Sequence, residues 1–103
     1  MLEIVKSKNT TPIRLTDERW SHITEEHAEL AGMKYEVLET VAKPSKILAG
    51  NKGELLAIRY INHLMKHLVV AYRETSENDG FIITSFITSK ETSLNRRKQL
   101  WPN

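Results

Sequence analysis

The chain has 103 residues and a formal net charge of +2, with 40% hydrophobic and 27% charged residues. That balance fits one globular domain over residues 1–103, with too little chain for a second core and too much apolar content for disorder. Cysteine is absent, which excludes disulfides, thiolate metal sites and cysteine nucleophiles, and so mild a basic excess does not by itself point to nucleic acid.

Met1 to Thr10 carries Glu3, Lys6 and Lys8 and has no apolar run resembling a signal-peptide core. No stretch approaches the ~18 apolar residues of a membrane span, so the expectation is a cytoplasmic chain with no membrane partner. The charges are unevenly placed. Asp17, Glu18, Glu25, Glu26 and Glu29 make one segment acidic, whereas Lys90, Arg96, Arg97 and Lys98 gather near the end against Glu91 alone. The second group can bind phosphate or simply solvate a terminal helix.

Ile13-Arg14-Leu15 can add an edge strand ahead of the first helix. Thr16-Asp17-Glu18 then opens that helix, with Thr16 as cap and two acids at the positive end of the dipole. Trp20, Ile23, His27 and Leu30 recur at helical spacing, and Gly32 is the expected stop. A second helix, roughly Lys34 to Ala42, presents Tyr35, Leu38 and Val41 on one face and closes before Pro44. After Pro44 the period changes. Ile47 to Ala49 is a short strand, Gly50-Asn51-Lys52-Gly53 a hairpin turn, and Leu55 to Ile61 the next strand. His67 to Arg73 and Phe81 to Thr88 are β-branched and aromatic runs, with a turn at Glu77 to Gly80 between them. Ser93 to Leu100 reads as a short closing helix. The expected fold class is therefore α+β: two N-terminal helices packed on a four-stranded antiparallel β-meander, with an extra edge strand and a C-terminal helix.

Four groups carry candidate chemistry. His22 and His27 lie on the first helix, and histidine suits general acid–base work. Glu26, one turn from His22, can orient it. Five residues separate the histidines, about 140° around a helix, so they do not make the two-histidine zinc motif. His27 sits on the apolar stripe, where a core role competes with a catalytic one. His63 and His67 are four apart but straddle a turn without a nearby carboxylate, which argues against metal. Arg59 shares a strand face with Leu55 and Ala57, so it must face either an anion or a carboxylate such as Glu26; Tyr72 and Arg73 lie on a neighbouring strand. Thr84 and Ser85, followed by Thr88, Ser89 and Lys90, place hydroxyls and a cation on the last strand. Alternation assigns Phe81, Ile83, Ser85 and Ile87 to one face of it. Together these supply a base, an acid and cations, the needs of metal-free RNA cleavage.

Their order resembles a family of small bacterial and phage proteins. The matching stretches are Trp20-Ser-His22-Ile with His27-x-Glu29-Leu30, then Pro44-x-x-Ile47, then HLVVAYR and GFIITSFITSK. That family is grouped with the Barnase–EndoU–colicin–RelE-like nuclease fold, whose members include toxin endoribonucleases. The resemblance runs from Arg14 to Lys90, with Ala28 where the family has proline and Ser85 where it has alanine. It implies that His22 and His27 are the acid–base pair, that Arg59 contacts phosphate, and that Thr84 and Ser85 line the site. Lys90, Tyr72, Arg96 and Arg97 would bind substrate. The expected function is a metal-independent, cofactor-free endoribonuclease of toxin type. It would cut tRNA or mRNA to a 2′,3′-cyclic phosphate and be held in check by an antitoxin or immunity protein. The competing expectation is a non-catalytic RNA- or protein-binding module of the same fold.

Overall fold

The structure, a computed structural model, describes residues 2–103. In chain order it runs β1 (Glu3–Lys6), β2 (Pro12–Leu15), α1 (Asp17–Glu26), a 3-10 turn (Ala28–Leu30) and α2 (Lys34–Ala42). Then come β3 (Lys46–Ala49), β4 (Leu55–Ile61), a second 3-10 turn (Asn62–Leu64), β5 (Lys66–Ser76), β6 (Asp79–Thr88), α3 (Glu91–Asn95) and β7 (Gln99–Trp101). The seven strands form one sheet in the order β1-β2-β6-β5-β4-β3-β7. β2 runs parallel to β6, and every other neighbouring pair is antiparallel.

The class is α+β, but the arrangement differs from the expected one. The sheet is mixed and has seven strands, not four. Two strands precede α1 instead of one, and the expected helix over Ser93–Leu100 is a five-residue helix followed by a strand that pairs with β3. The first helix also stops earlier than Gly32. Thr16 caps it, accepting a hydrogen bond from the Arg19 amide at 3.1 Å. His27 leaves helical geometry at φ −131°, ψ 72°, and the following 3-10 turn carries Leu30 into the core. Gly32, at φ +84°, turns the chain towards α2.

The helices cover one face of the sheet. Ile23, Leu30, Val37 and Val41 pack there on Ala57, Leu68, Val70, Tyr72 and Ile82. α2 buries Val37, Thr40 and Val41, while Tyr35, expected on its apolar face, is exposed. On the opposite face Leu94 of α3 packs over Leu48, Leu56, Ile58, Val69 and Ala71.

Strict alternation fails in β6. The register passes from Ala71↔Thr84 to Tyr72↔Ile82, so Ile83 is the extra residue of a bulge. Ile82, Ser85 and Ile87 therefore lie opposite Tyr72, Val70 and Leu68 on the helix-covered side, while Thr84, Phe86 and Thr88 lie opposite Ala71, Val69 and His67. The sheet is also strongly curled. α2 packs against β1 as well as against β4 and β5, and the Lys8 ammonium, from the β1–β2 turn, stands 4.4 Å from the ring centroid of Trp101 in β7.

Candidate functional site

The face that α3 leaves open carries a row of side chains set by strand register. Tyr60 of β4 pairs with His67 of β5, which pairs in turn with Thr88 of β6. The Tyr60 and His67 rings meet edge-on at 5.1 Å. His67 Nδ1 is buried and has no hydrogen-bond partner. The Thr88 hydroxyl oxygen accepts a hydrogen bond from the Lys90 amide at 3.0 Å, which fixes the chain as it turns into α3.

Phe86, two residues back along β6, brings in a second histidine. β2 pairs with β6 only at Ile13↔Gly80 and Arg14↔Phe81, so from Ile82 onward β6 has no strand beside it on that edge. α1 and the 3-10 turn lie alongside instead. Through this opening His27, where α1 ends, comes within 6.2 Å of the Phe86 ring. Its Nδ1 is 3.7 Å from the Glu29 carboxylate. His67 and His27 thus flank the Phe86–Thr88 stretch, about 7 Å of strand.

Other sequence candidates lie elsewhere. Arg59 is on the helix-covered side, opposite Leu68, and its Nη1 donates to the Glu39 carboxylate at 2.6 Å. Glu39 also accepts from the Tyr35 hydroxyl at 2.8 Å. The carboxylate that answers Arg59 therefore comes from α2, not from Glu26, and register places Arg59 on the face of the sheet opposite His67. His22 is exposed on α1. Ser85 is fully buried, and its hydroxyl donates to the Val69 carbonyl at 2.7 Å. Tyr72 is 0% exposed, and burial raises its hydroxyl above the ordinary value of 10.0. Neither side chain lines a surface that a substrate can reach, which corrects the roles expected of them. The physical reason is register: both lie opposite helix-side neighbours.

Thr84 does lie on the open side, opposite Ala71. Lys90 and Arg96 are exposed at the two ends of α3. Arg97 is engaged by the β3–β4 turn, donating to the Ala49 carbonyl at 3.3 Å and to the Asn51 side chain at 2.9 Å. Tyr60, His67 and Phe86 were not singled out for catalysis or substrate binding from sequence. Alternation places His67 with Val69 and Ala71, and Phe86 with Thr88, but only the register Tyr60↔His67↔Thr88 makes them one surface.

Chemically, the row offers two imidazoles, two threonine hydroxyls, an exposed lysine and two aromatic rings. Among the described residues no group of three or more histidine, aspartate or glutamate side chains is placed to hold a metal ion. Among the described residues no helix is long and apolar enough to cross a membrane. No protein-family model, curated protein or solved structure matches the chain.

Proposed function

We propose that the chain is a metal-independent endoribonuclease domain that works on its open sheet face. The observation that carries this reading is the pair of imidazoles, His67 and His27, at either side of the Phe86–Thr88 stretch. One imidazole removes the proton from a ribose 2′-hydroxyl, whose oxygen bonds to the adjacent phosphorus. The other protonates the departing 5′-oxygen as its bond to phosphorus breaks, leaving a 2′,3′-cyclic phosphate. Lys90 and the hydroxyls of Thr84 and Thr88 meet the phosphate, and Phe86 and Tyr60 offer ring faces to unstacked bases. The motif resemblance to the Barnase–EndoU–colicin–RelE-like nuclease fold supports the same reading, with His67 taking the part that sequence gave to His22. tRNA or mRNA is the substrate, and the partner is an inhibitory antitoxin or immunity protein.

The test is incubation of the wild type, His67→Ala and His27→Ala with total RNA in the presence of a chelator. Cleavage by the wild type and a loss of about 100-fold or more in each variant are expected. Intact RNA with the wild type, or undiminished cutting by both variants, overturns the proposal.

A second reading, a non-catalytic RNA- or protein-binding module, is favoured by one observation. Arg59, the strand cation that sequence offered to phosphate, is neutralised by Glu39.

A further inference from the structure

Where β4 ends, a pocket of about 270 Å³ lies between α2 and the Asn62–Leu64 turn. Glu36, Glu39 and Thr40 reach it from α2, spaced so that they share one helix face. Arg59 and Ile61 come from alternate positions of β4, and Asn62 and His63 from the turn that follows. Ile61 is the one aliphatic side chain among the described lining residues.

The charges of this pocket are only partly answered within the chain. Arg59 Nη1 donates to Glu39 at 2.6 Å, and this is the one hydrogen bond that its guanidinium makes among the described residues. A guanidinium has five N–H donors, and the Arg59 side chain keeps 34% of its surface exposed. Glu39 is ionised at neutral pH, because hydrogen bonds from the Tyr35 hydroxyl and then from Arg59 hold its carboxyl below the ordinary 4.5. Glu36 makes no ion pair among the described residues. Its helix carbonyl, not its carboxylate, accepts the Thr40 hydroxyl at 2.7 Å. Asn62 and His63 are both exposed, with a side-chain amide and an imidazole to offer.

These groups select against a simple ion. An anion on Arg59 would stand beside two carboxylates of its own sign, and a cation on Glu36 alone would leave the guanidinium donors unanswered. A ligand that carries an ammonium and a carboxylate on one carbon meets both demands. We propose that this pocket binds a free α-amino acid with a small polar side chain. Its ammonium donates to Glu36, and its carboxylate accepts from the unused donors of Arg59, with Asn62 and His63 completing the carboxylate's contacts. The volume falls just under the ~300–1,000 Å³ of pockets for drug-sized ligands, as a smaller molecule requires. One aliphatic wall, Ile61, is too little for a large apolar side chain. Arg59 lies on the face of the sheet opposite His67, so this site is distinct from the histidine row and does not rest on the RNA reading.

The experiment is titration of the full chain with L-serine, L-threonine and L-glutamine, each beside its N-acetyl and its carboxamide derivative, followed by NMR and calorimetry. Saturable binding of at least one free amino acid is expected, with resonance shifts at Thr40, Tyr60, Asn62 and His63. Blocking either end should weaken it about tenfold or more. Glu36→Gln should do the same for the free amino acid and leave the affinity of the N-acetyl derivative unchanged. Arg59→Met alone would strand the Glu39 carboxylate, so it is combined with Glu39→Gln, and this double variant should lose binding while remaining folded by circular dichroism. No saturable binding at about 10 mM of any of the three, equal affinity for a blocked derivative, or shifts confined to residues outside the pocket overturns the proposal.

Discussion

The imidazole of His27 lies 6.2 Å from the ring of Phe86, although His27 belongs to the helix layer and Phe86 points to the far side of the sheet. Only the short β2–β6 pairing permits this, because a longer β2 would fill the edge with backbone. Phe86 then has two neighbours to serve, the histidine beside it and any base laid on the open face.

Replacing the ring while keeping its apolar bulk isolates the second role. Phe86→Leu should weaken binding of single-stranded RNA by about 1–3 kcal/mol if one base stacks there, with the circular dichroism spectrum unchanged. Fluorescence anisotropy with a labelled oligonucleotide reads this directly. Equal affinity in the variant removes Phe86 from the binding surface.

Lys90 and Arg97 make a contrasting pair. Lys90 is exposed beside Thr88, whereas Arg97 is spent on Ala49 and Asn51. Lys90→Ala should therefore lower the slope of log affinity against log salt by about 0.7 for a single strand. Arg97→Ala should leave that slope alone and loosen the β3–β4 turn, visible as faster amide exchange at Asn51 and Lys52. A fall in slope for Arg97→Ala and none for Lys90→Ala reverses the assignment.

The sequence carried the central strands well and the joins poorly. The Leu55–Ile61 strand and the Gly50–Gly53 turn are encoded locally, by composition and turn chemistry, and the structure has them where they were expected. The edge strand expected at Ile13-Arg14-Leu15 is present as β2, whereas β1 has only four residues of alternation and β7 has three that exist because the distant edge of β3 is free to accept them. The bulge at Ile83 puts Ile82 on the face of Ser85 and Ile87, from which alternation had separated it, and Ser85 and Tyr72 lose their expected roles because they are buried on that side of the sheet. His27 was legible as a candidate because histidine at helical spacing is visible in the letters. His67 became one only through its neighbours on two other strands.

The Arg59–Glu39 pair makes stability depend on acidity. Hydrogen bonds from Tyr35 and then from Arg59 hold the Glu39 carboxyl below its ordinary value of 4.5. A lowered folded-state value stabilises the fold above pH 4.5, and that contribution disappears as pH falls through the lowered value. In a double-mutant cycle with Arg59→Met and Glu39→Gln, the coupling should be favourable at pH 7 and vanish in acid. Cleavage of RNA by Arg59→Met should equal that of the wild type. Loss of cleavage without loss of stability returns Arg59 to the active site.

Ser85 and Tyr72, both buried, should respond to substitution with opposite signs. Ser85→Ala removes the hydroxyl that donates to the Val69 carbonyl, at a cost of about 1 kcal/mol. The Tyr72 hydroxyl is buried without a partner, so Tyr72→Phe should be neutral or stabilising by up to about 1 kcal/mol. Urea denaturation measures both, and RNA cleavage should be unaffected in either. Strong destabilisation by Tyr72→Phe would show that the hydroxyl has a partner.

The contact of Lys8 with Trp101 joins positions at opposite ends of the sequence and opposite edges of the sheet. Such a link cannot form while either edge is still unbuilt. The β3–β6 hairpins can assemble from neighbouring segments, whereas drawing the outer strands round α2 requires the loop entropy of nearly the whole chain. Closure is therefore the slow and late step of folding. Until it is complete, the apolar side chain of Ile4 in β1, still exposed in the finished fold, lies on an unguarded strand, where association between chains competes with folding.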